Sequence, residues 1–521
     1  MRLLITHGYL LTGSGSNVYV QNLCRALVGR GHSVDLLCQD PDPLALDFVS
    51  GLYTAGPGVV TPVEERGTGY PGACTVYRPE IGDLLPVYVY DDYPGWRVKT
   101  FLDLTDGELS HYIEANARAI RAVLEHTPAD ALITNHSLPG PLIARRALED
   151  VPADLPYLSI VHGSCLQYTA RRSERYREVA REGLAGARHI VSPSPHGAGT
   201  IREDFPELAE KTLALSGGVD TDLFRPDAFD ERALEALTGG RGRGPEQAAA
   251  LAAALEEHRD DGEGLLRALG ENAASYYPRV HDRDAGERLR SFLGKDGPLV
   301  VYVGKLIHSK GVHSLLSAFV RLRRERPDAR LLIIGFGTFR EGLEAITAAF
   351  DAKDERALRT LAGLGKRLEG GSPEPLEHFK VPEDLSLGEP GLGEAVEFTG
   401  PLEHAALSSL LPAADVAVVP SIFPEIFGLV AAEFAASGVV PLVADHSGLA
   451  EAGGIVGEGL PFSLRVSLEG GFEQNLAAAL ADYLALPEGE RERLSRAVRE
   501  NSVKRLSWGS LADDLVALAG G

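Results

Sequence analysis

Two lysines and two glutamates have types and spacings suited to a single task. "GKLIHSKG" carries Lys305 and Lys310, five residues apart, with Gly304 and Gly311 beside them. A diphosphate needs charge-assisted donors and little steric cover, and this loop offers both. The rival reading is two solvated surface lysines. "PEIFGLVAAE" carries Glu425 and Glu433. On one continuous helix they would stand about 12 Å apart along the axis, at roughly 1.5 Å per residue. Glu425 is therefore read as a loop residue, with the helix starting near Phe427 or Gly428. The first turn then presents the N–H groups of Phe427, Gly428 and Leu429, which suit a phosphate. Glu433 lies among Ala431, Ala432, Ala435 and Ala436. A carboxylate accepting from two adjacent hydroxyls holds a ribose well. The rival reading is a solvated helix face, although an unpaired carboxylate in so apolar a stripe would be costly.

The first half of the chain offers two further candidates. "HGYLLTGSGSN" follows an apolar run and holds Gly13 and Gly15, which permit close approach of backbone to a ligand. It lacks the third glycine of a dinucleotide fingerprint, and the loop is too long for that turn. A mobile surface loop is the rival. "HGS" places His162 directly after the run "YLSIV". A structural hydrogen bond is the rival reading for this histidine.

The elements that must position these residues alternate strand with helix. "RLLIT", "SVDLLC", "DALITN", "YLSIVH" and "HIVSPS" read as strands in the first half. "LVVYVG", "ARLLIIG", "AVEFTG", "VAVVPS" and "VVPLVAD" restart the pattern in the second. Short apolar strands between helices imply parallel sheets covered on both faces. The expectation is two α/β domains, residues 1–220 and 295–490. Ligands of such sheets sit outside the carboxyl ends of the strands, so a cleft between the domains is the natural site. Residues 227–290 read as an insertion or linker: "TGGRGRG" as a flexible loop, "PEQAAALAAALEEH" as a solvated helix. Residues 350–393 form a second insertion-like region. The last segment, "RLSWGSLADDLVALAGG", is amphipathic, with Trp508, Leu511, Leu515 and Leu518 near one face.

Composition narrows the function. The 521 residues carry 51 − 74 = −23 charges, and such a surface repels nucleic acid and anionic lipid. Peripheral membrane contact is disfavoured on the same ground. Cys24, Cys38, Cys74 and Cys165 form no C-x-x-C pair, which suits a reducing cytoplasm and speaks against structural zinc. "RLLIT" reads as a buried strand and not as part of a signal peptide. No run reaches the roughly 18 apolar residues that a membrane span needs. The D-x-D triplets at Asp40/Asp42, Asp220/Asp222 and Asp282/Asp284 invite a divalent ion, but three hits in one acidic chain carry little meaning. No essential metal is expected, although magnesium could associate with a diphosphate.

Taken in order, these pieces resemble the retaining nucleotide-sugar glycosyltransferases of family 4, of the two-Rossmann-domain GT-B type. "PEIFGLVAAE" resembles the family's E-x-F-G-L-x-x-x-E, and "GKLIHSKG" its G-[RK]-L-x-x-x-K-G loop, with Lys305 where arginine is commoner. "SGGVDTDLFRP" is similar to N-G-V-D-x-x-x-F-x-P, with Gly217 in place of asparagine, and "HSGLAE" to G-G-x-x-E, with Ser447 replacing the first glycine. "TGSGSNVYVQNLCRALVGRGHSVDLL" resembles the family's opening.

The resemblance implies that Lys305 and Lys310 bind the donor diphosphate and that Glu433 holds the ribose. Glu425 would contact the donor sugar, beside the backbone of Phe427, Gly428 and Leu429. His162 would lie against that sugar, and Gly13 and Gly15 would approach the diphosphate. It implies a C-terminal segment, residues 500–521, packing back on the N-terminal domain. The N-terminal domain would take a hydroxyl acceptor and the C-terminal one a UDP- or GDP-sugar. No cofactor beyond that co-substrate is implied, and transfer would retain the anomeric configuration. For the acceptor, the aromatic stretch Tyr88 to Trp96 and the cations Arg171, Arg172 and Arg175 are candidates, against an edge strand and a solvated helix. A sugar-nucleotide epimerase of related fold and a non-catalytic nucleotide binder are the alternative functions.

Overall fold

The computed structural model describes residues 1–520 apart from 90–92, 94, 150, 152–154, 228, 230, 236, 238–241, 272, 274–280 and 382–391. The chain divides into two compact units, Met1–Gly218 with Leu506–Gly521, and Val219–Arg505.

The N-terminal unit contains β1 (Arg2–Thr6), β2 (Ser33–Leu37), β3 (Val49–Gly56), β4 (Val59–Glu65), β5 (Ala73–Pro79), β6 (Leu84–Val87), β7 (Arg97–Thr100), β8 (Ala131–Asn135), β9 (Tyr157–Ile160), β10 (His189–Ser192) and β11 (Thr212–Ala214). Nine strands form one sheet in the order β11-β10-β9-β8-β1-β2-β5-β3-β4, and β6 pairs with β7 apart from it. Within that sheet β3–β4 is the antiparallel pair; β1, for example, runs parallel to both β2 and β8. The central strands are mostly apolar because helices cover both faces, with Asp35 of β2 buried and paired with Arg2 of β1 at 3.0 Å. The strand order reverses at β1, with β2 on one side and β8 on the other, which makes a topological switch point there.

Helix α1 (Gly15–Gly29) starts at Ser14, whose hydroxyl accepts the Asn17 N–H, and buries Tyr19, Val20, Leu23, Leu27 and Val28. Its core also contains the C-terminal helix Trp508–Gly520 through Trp508, Leu511, Ala512, Leu515 and Ala519. Each leucine buried there stabilises the docking by about 1.5–3 kcal/mol before the entropy of ordering is counted. The expected amphipathic face is thus the one that packs, with Leu518 partly buried at its margin.

The C-terminal unit contains β12 (Leu299–Val303), β13 (Arg330–Ile334), β14 (Val396–Phe398), β15 (Val416–Val419), β16 (Val440–Ala444) and β17 (Arg465–Val466). Their order is β14-β13-β12-β15-β16-β17, parallel throughout. The switch point lies between β12 and β15.

The reading of residues 227–290 needs correction. Helix α2 (Pro245–Glu257) is not a solvated helix: it buries Leu251 and Leu255 and packs against α4 (Arg340–Asp351), which lies one helix beyond α3 (Val312–Glu325). Nor is the end of the Gly/Arg loop free. The Arg243 side chain is 3% exposed and pairs with Glu341 at 3.1 Å and with Glu344. Asp282 accepts from both terminal nitrogens of Arg340, at 2.8 and 2.7 Å, and from Arg288 at 2.7 Å. Buried charges are tolerable only when paired. These partners lie tens of residues apart in the chain, so local composition gave no sign of them. In the second insertion-like region, Glu355–Leu364 is a helix whose apolar side is buried, and residues 382–391 lie outside the described ones.

Candidate functional site

In the C-terminal unit the loops after β12, β13, β15 and β16 build one polar cluster at the carboxyl ends of the strands. The loop after β12 runs through Gly304 and Lys305 to the short turn His308–Lys310 and then into α3. Two glycines fix its path. A Cβ on Gly335 would lie 1.8 Å from the Gly304 carbonyl oxygen. Gly311 is left-handed at φ 68°, and a Cβ there would lie 2.0 Å from the Pro420 carbonyl oxygen. The loop is thereby pressed onto the end of β15, where Ile422 N–H donates to Ser309 O at 3.0 Å.

This places Lys310 beside Glu425. The ammonium nitrogen Nζ donates to Oε1 at 2.7 Å, with the two side chains 31% and 21% exposed. An ammonium has three donors, and this bond uses one. Lys305 takes the other side of the loop, its Nζ 5.7 Å from the centre of the Phe336 ring after β13. The two lysines therefore hold different neighbours, and the pair the structure joins is Lys310 with Glu425.

Helix α5 (Leu429–Ala436) begins one residue after Gly428, its cap, so the helix start expected at Phe427 or Gly428 is displaced by one or two residues. Its first-turn amides have no intrahelical acceptors. Glu433 lies on α5 with its side chain 14% exposed, 3.8 Å from Nε2 of His404. It is neither a solvated face nor unpartnered. Burial would lower the His404 pKa, but the nearby Glu433 carboxylate, with Glu403 and Asp220, outweighs it and holds the value above 6.5.

Glu425 is held by a group that sequence reading noted only as a departure. Ser447 opens α6 (Ser447–Val456) at φ 52°, the left-handed region. That backbone accounts for a glycine in the matching motif. The serine hydroxyl oxygen accepts the Glu425 N–H at 2.9 Å and lies 3.0 Å from Nδ1 of His446. Nε2 of His446 is 2.6 Å from the Ser421 carbonyl, which can only accept. Nε2 therefore carries a proton and donates to it, and in the neutral ring Nδ1 accepts from the Ser447 hydroxyl. Each group in this relay from Ser421 to Glu425 has a complementary partner. His404 and His446 were missed in the sequence. The signal for His446 was its place beside the anomalous serine; nothing in the local sequence singles out His404.

The three D-x-D triplets are structural. Asp40 accepts the N–H groups of Leu11 and Asp42, and Asp220 those of Asp222 and Leu223. Asp282 and Asp284 hold Arg288. Among the described residues no three His, Cys, Asp or Glu side chains converge on a metal position.

In the N-terminal unit, Gly13 is left-handed at φ 93°, and a Cβ on Gly15 would meet nothing within 4 Å. The loop between β1 and α1 is anchored and not a free flap. Leu11 N–H donates to Asp40 at 2.9 Å, and the Asn17 amide donates to Thr12 O at 2.7 Å. Asn17 also accepts from Nε2 of His7 at 2.9 Å. His162 is buried, with Nε2 3.0 Å from the Asn135 side-chain oxygen, and its pKa is pushed down to about 3 by burial and then by His7. Arg171 and Arg175 do not share a helix face: helix Glu174–Ala185 starts after Arg171. Arg171 pairs with Asp204 at 2.8 Å and Arg175 with Asp106 at 2.6 Å. Of the aromatic stretch, Tyr88 donates to Leu138 O at 2.5 Å, and residues 90–92 and 94 lie outside the described ones.

Two α/β units with parallel sheets and polar loops at the strand ends define the GT-B glycosyltransferase fold, as the sequence reading expected. Sucrose-phosphate synthase from Thermosynechococcus elongatus superposes with a TM-score of 0.58 at 19% identity, over 99% of this chain and 98% of that one. Residues 14–214 match the glycosyl transferase 4-like domain, and residues 287–357 and 379–501 match the glycosyl transferases group 1 domain. The chain belongs to the glycosyltransferase family that these two domains define. A glycogen synthase of Mycobacterium tuberculosis is 32% identical over 42% of this chain and 41% of its own length. The match thus spans under half of that relative. A D-inositol 3-phosphate glycosyltransferase of Jonesia denitrificans is 23% identical over 75% of this chain and 79% of that one. Among the described residues no helix is long and apolar enough to cross a membrane.

Proposed function

We propose that this chain moves a hexosyl group from a UDP- or GDP-sugar to a hydroxyl acceptor, with retention at the anomeric carbon. The observation that carries the reading is the Lys310–Glu425 pair at 2.7 Å, placed beside the start of α5 at the switch point of the C-terminal sheet. In this reading the C-terminal unit is the donor side. Lys310 keeps one bond to Glu425 and gives its remaining donors to the diphosphate, which Lys305 also meets. The backbone at Phe427, Gly428 and Leu429 faces the phosphate and sugar. Glu425 accepts from sugar hydroxyls, and Glu433 accepts from the ribose pair. The N-terminal unit is the acceptor side, with His162 toward the donor sugar and Gly13 and Gly15 toward the diphosphate.

The chemistry follows from charge. As the glycosidic bond to phosphate breaks, negative charge grows on the leaving oxygen. Two ammonium groups and a helix N-terminus stabilise that charge without a metal. The leaving phosphate oxygen takes the acceptor proton on the same face, so no strong protein base is needed. The four cysteines are buried thiols, which suits a reducing cytoplasm.

The test is product formation from UDP-glucose and GDP-mannose by the wild type, Lys310→Ala and Glu425→Ala, with EDTA present. Transfer lost in both variants, with melting within about 1 kcal/mol of wild type, supports the reading. Undiminished turnover in Lys310→Ala would sink it.

A further inference from the structure

Three adjacent strands of the N-terminal sheet end on a histidine. His7 follows β1, His136 follows β8 and His162 comes two residues after β9. Strand order brings them together at the switch point: the rings of His7 and His136 stack at 5.8 Å, and those of His136 and His162 lie at 4.8 Å. His7 is tied to Asn17 and His162 to Asn135. His136 is different. Its side chain is buried, at 2% exposure for the residue, and among the described residues neither ring nitrogen has a hydrogen-bond partner. Its backbone is left-handed at φ 70°, a costly conformation for a non-glycine residue that clusters at ligand sites.

His136 borders a cavity of about 40 Å³ within this unit, lined also by His7, Tyr9, Tyr88, Asn116 and Asn135. By the space one water requires, it admits about three water-sized groups. That suits a hydroxymethyl arm or two neighbouring hydroxyls, and not a whole sugar ring. Among the described residues the lining contains no lysine or arginine. Burial keeps the histidines neutral: His7 is pushed down to about 4, and His136 well below 6.5 by burial and then by the neighbouring rings. A neutral imidazole has one donor and one acceptor, and so complements a hydroxyl. A phosphate or carboxylate would need charge-assisted donors that this cavity lacks.

We infer that His136 binds the acceptor, and that the cavity takes the hydroxyl-bearing end of an uncharged polyol or sugar. This rests on the transferase reading and adds the acceptor's chemical class. Tyr9 and Tyr88, which also line the cavity, lie 5.7 and 4.7 Å from the His136 ring and give its wall an apolar, aromatic part suited to sugar C–H groups.

The test is binding of glucose, maltose and glucose 6-phosphate to the full chain by saturation-transfer NMR. It is run on wild type and His136→Gly, a variant whose left-handed backbone glycine accommodates without strain. The inference expects glucose or maltose to bind, glucose 6-phosphate to bind at least about tenfold more weakly than glucose, and His136→Gly to weaken the neutral sugars by about tenfold or more. Tighter binding of the phosphate, unchanged binding in His136→Gly, or no binding of either neutral sugar would overturn it. His136→Asn, which keeps a donor and an acceptor and tolerates the left-handed backbone, is expected to recover part of the affinity. UDP and GDP titrations on the same samples separate the two claims. Loss of nucleotide binding alone counts against the donor site and leaves the polyol result standing.

Discussion

Replacing Ser447 by glycine and by alanine separates two effects that meet at one residue. The serine holds φ at 52°, which costs a non-glycine residue about 1–2 kcal/mol. Its hydroxyl accepts the Glu425 N–H at 2.9 Å, a bond of about 1 kcal/mol net. The same hydroxyl also lies 3.0 Å from Nδ1 of His446, a second bond lost with it. Ser447→Gly loses both bonds and releases the strain, so it stays within about 1 kcal/mol of wild type. Ser447→Ala loses both bonds and keeps the strain, so it falls by about 1–2 kcal/mol. The two variants should differ by about 1–2 kcal/mol, which is roughly 2–3 °C in the melting of a unit of this size. Differential scanning calorimetry on the full chain reads the difference. Hydrogen exchange at the Glu425 amide supplies the second readout, and should quicken in both variants because the acceptor is gone from both. An alanine variant as stable as the glycine one, or an amide as protected as in wild type, would refute the account of this turn.

Two further perturbations test other parts of the structure. His7 and His162 titrate near 4 and 3 in the folded chain, against 6.5 when free. Their lowered values mean that the unfolded chain binds more protons below pH 6.5. Stability is then full above 6.5 and lost as pH falls from 6.5 towards 4, by about 1.4 kcal/mol per pH unit for each histidine. A melting temperature of the N-terminal unit that stays flat between pH 7 and 4.5 would contradict this. Asp282→Ala leaves Arg340, 4% exposed, without two of its hydrogen bonds. It should cost the C-terminal unit about 3–5 kcal/mol. A loss below about 1 kcal/mol, measured in urea, would show that the buried network is dispensable.

The central strands were legible because each is a short, mostly apolar run between helical segments, whereas the exposed β4 and the polar β7 gave no such signal. The runs read from "RLLIT" to "VVPLVAD" are all strands in the structure. The loops after β12 and β15 were legible because their glycines mark them in the sequence, although the contacts that hold Gly311 and Gly335 join separate loops. What stayed hidden depends on meetings between distant segments. Arg243 finds Glu341, and Asp282 finds Arg340, only after folding, so "TGGRGRG" reads as flexible and "DRD" gives no sign of its buried pairing. His404 meets Glu433 for the same reason. His136 was different, because "THG", "NHS" and "VHG" each put a histidine at or just after a strand end, and the repetition was there to be counted.

The central claim is that the C-terminal unit grips a nucleoside diphosphate through Lys310 and Glu433. Calorimetric titration of UDP and GDP into wild type, Lys310→Ala and Glu433→Ala, with EDTA present, tests it most directly. The account predicts that one nucleotide binds the wild type and binds each variant at least about tenfold more weakly, a loss of about 1.4 kcal/mol or more. Binding of neither nucleotide, or equal binding by all three proteins, would contradict it.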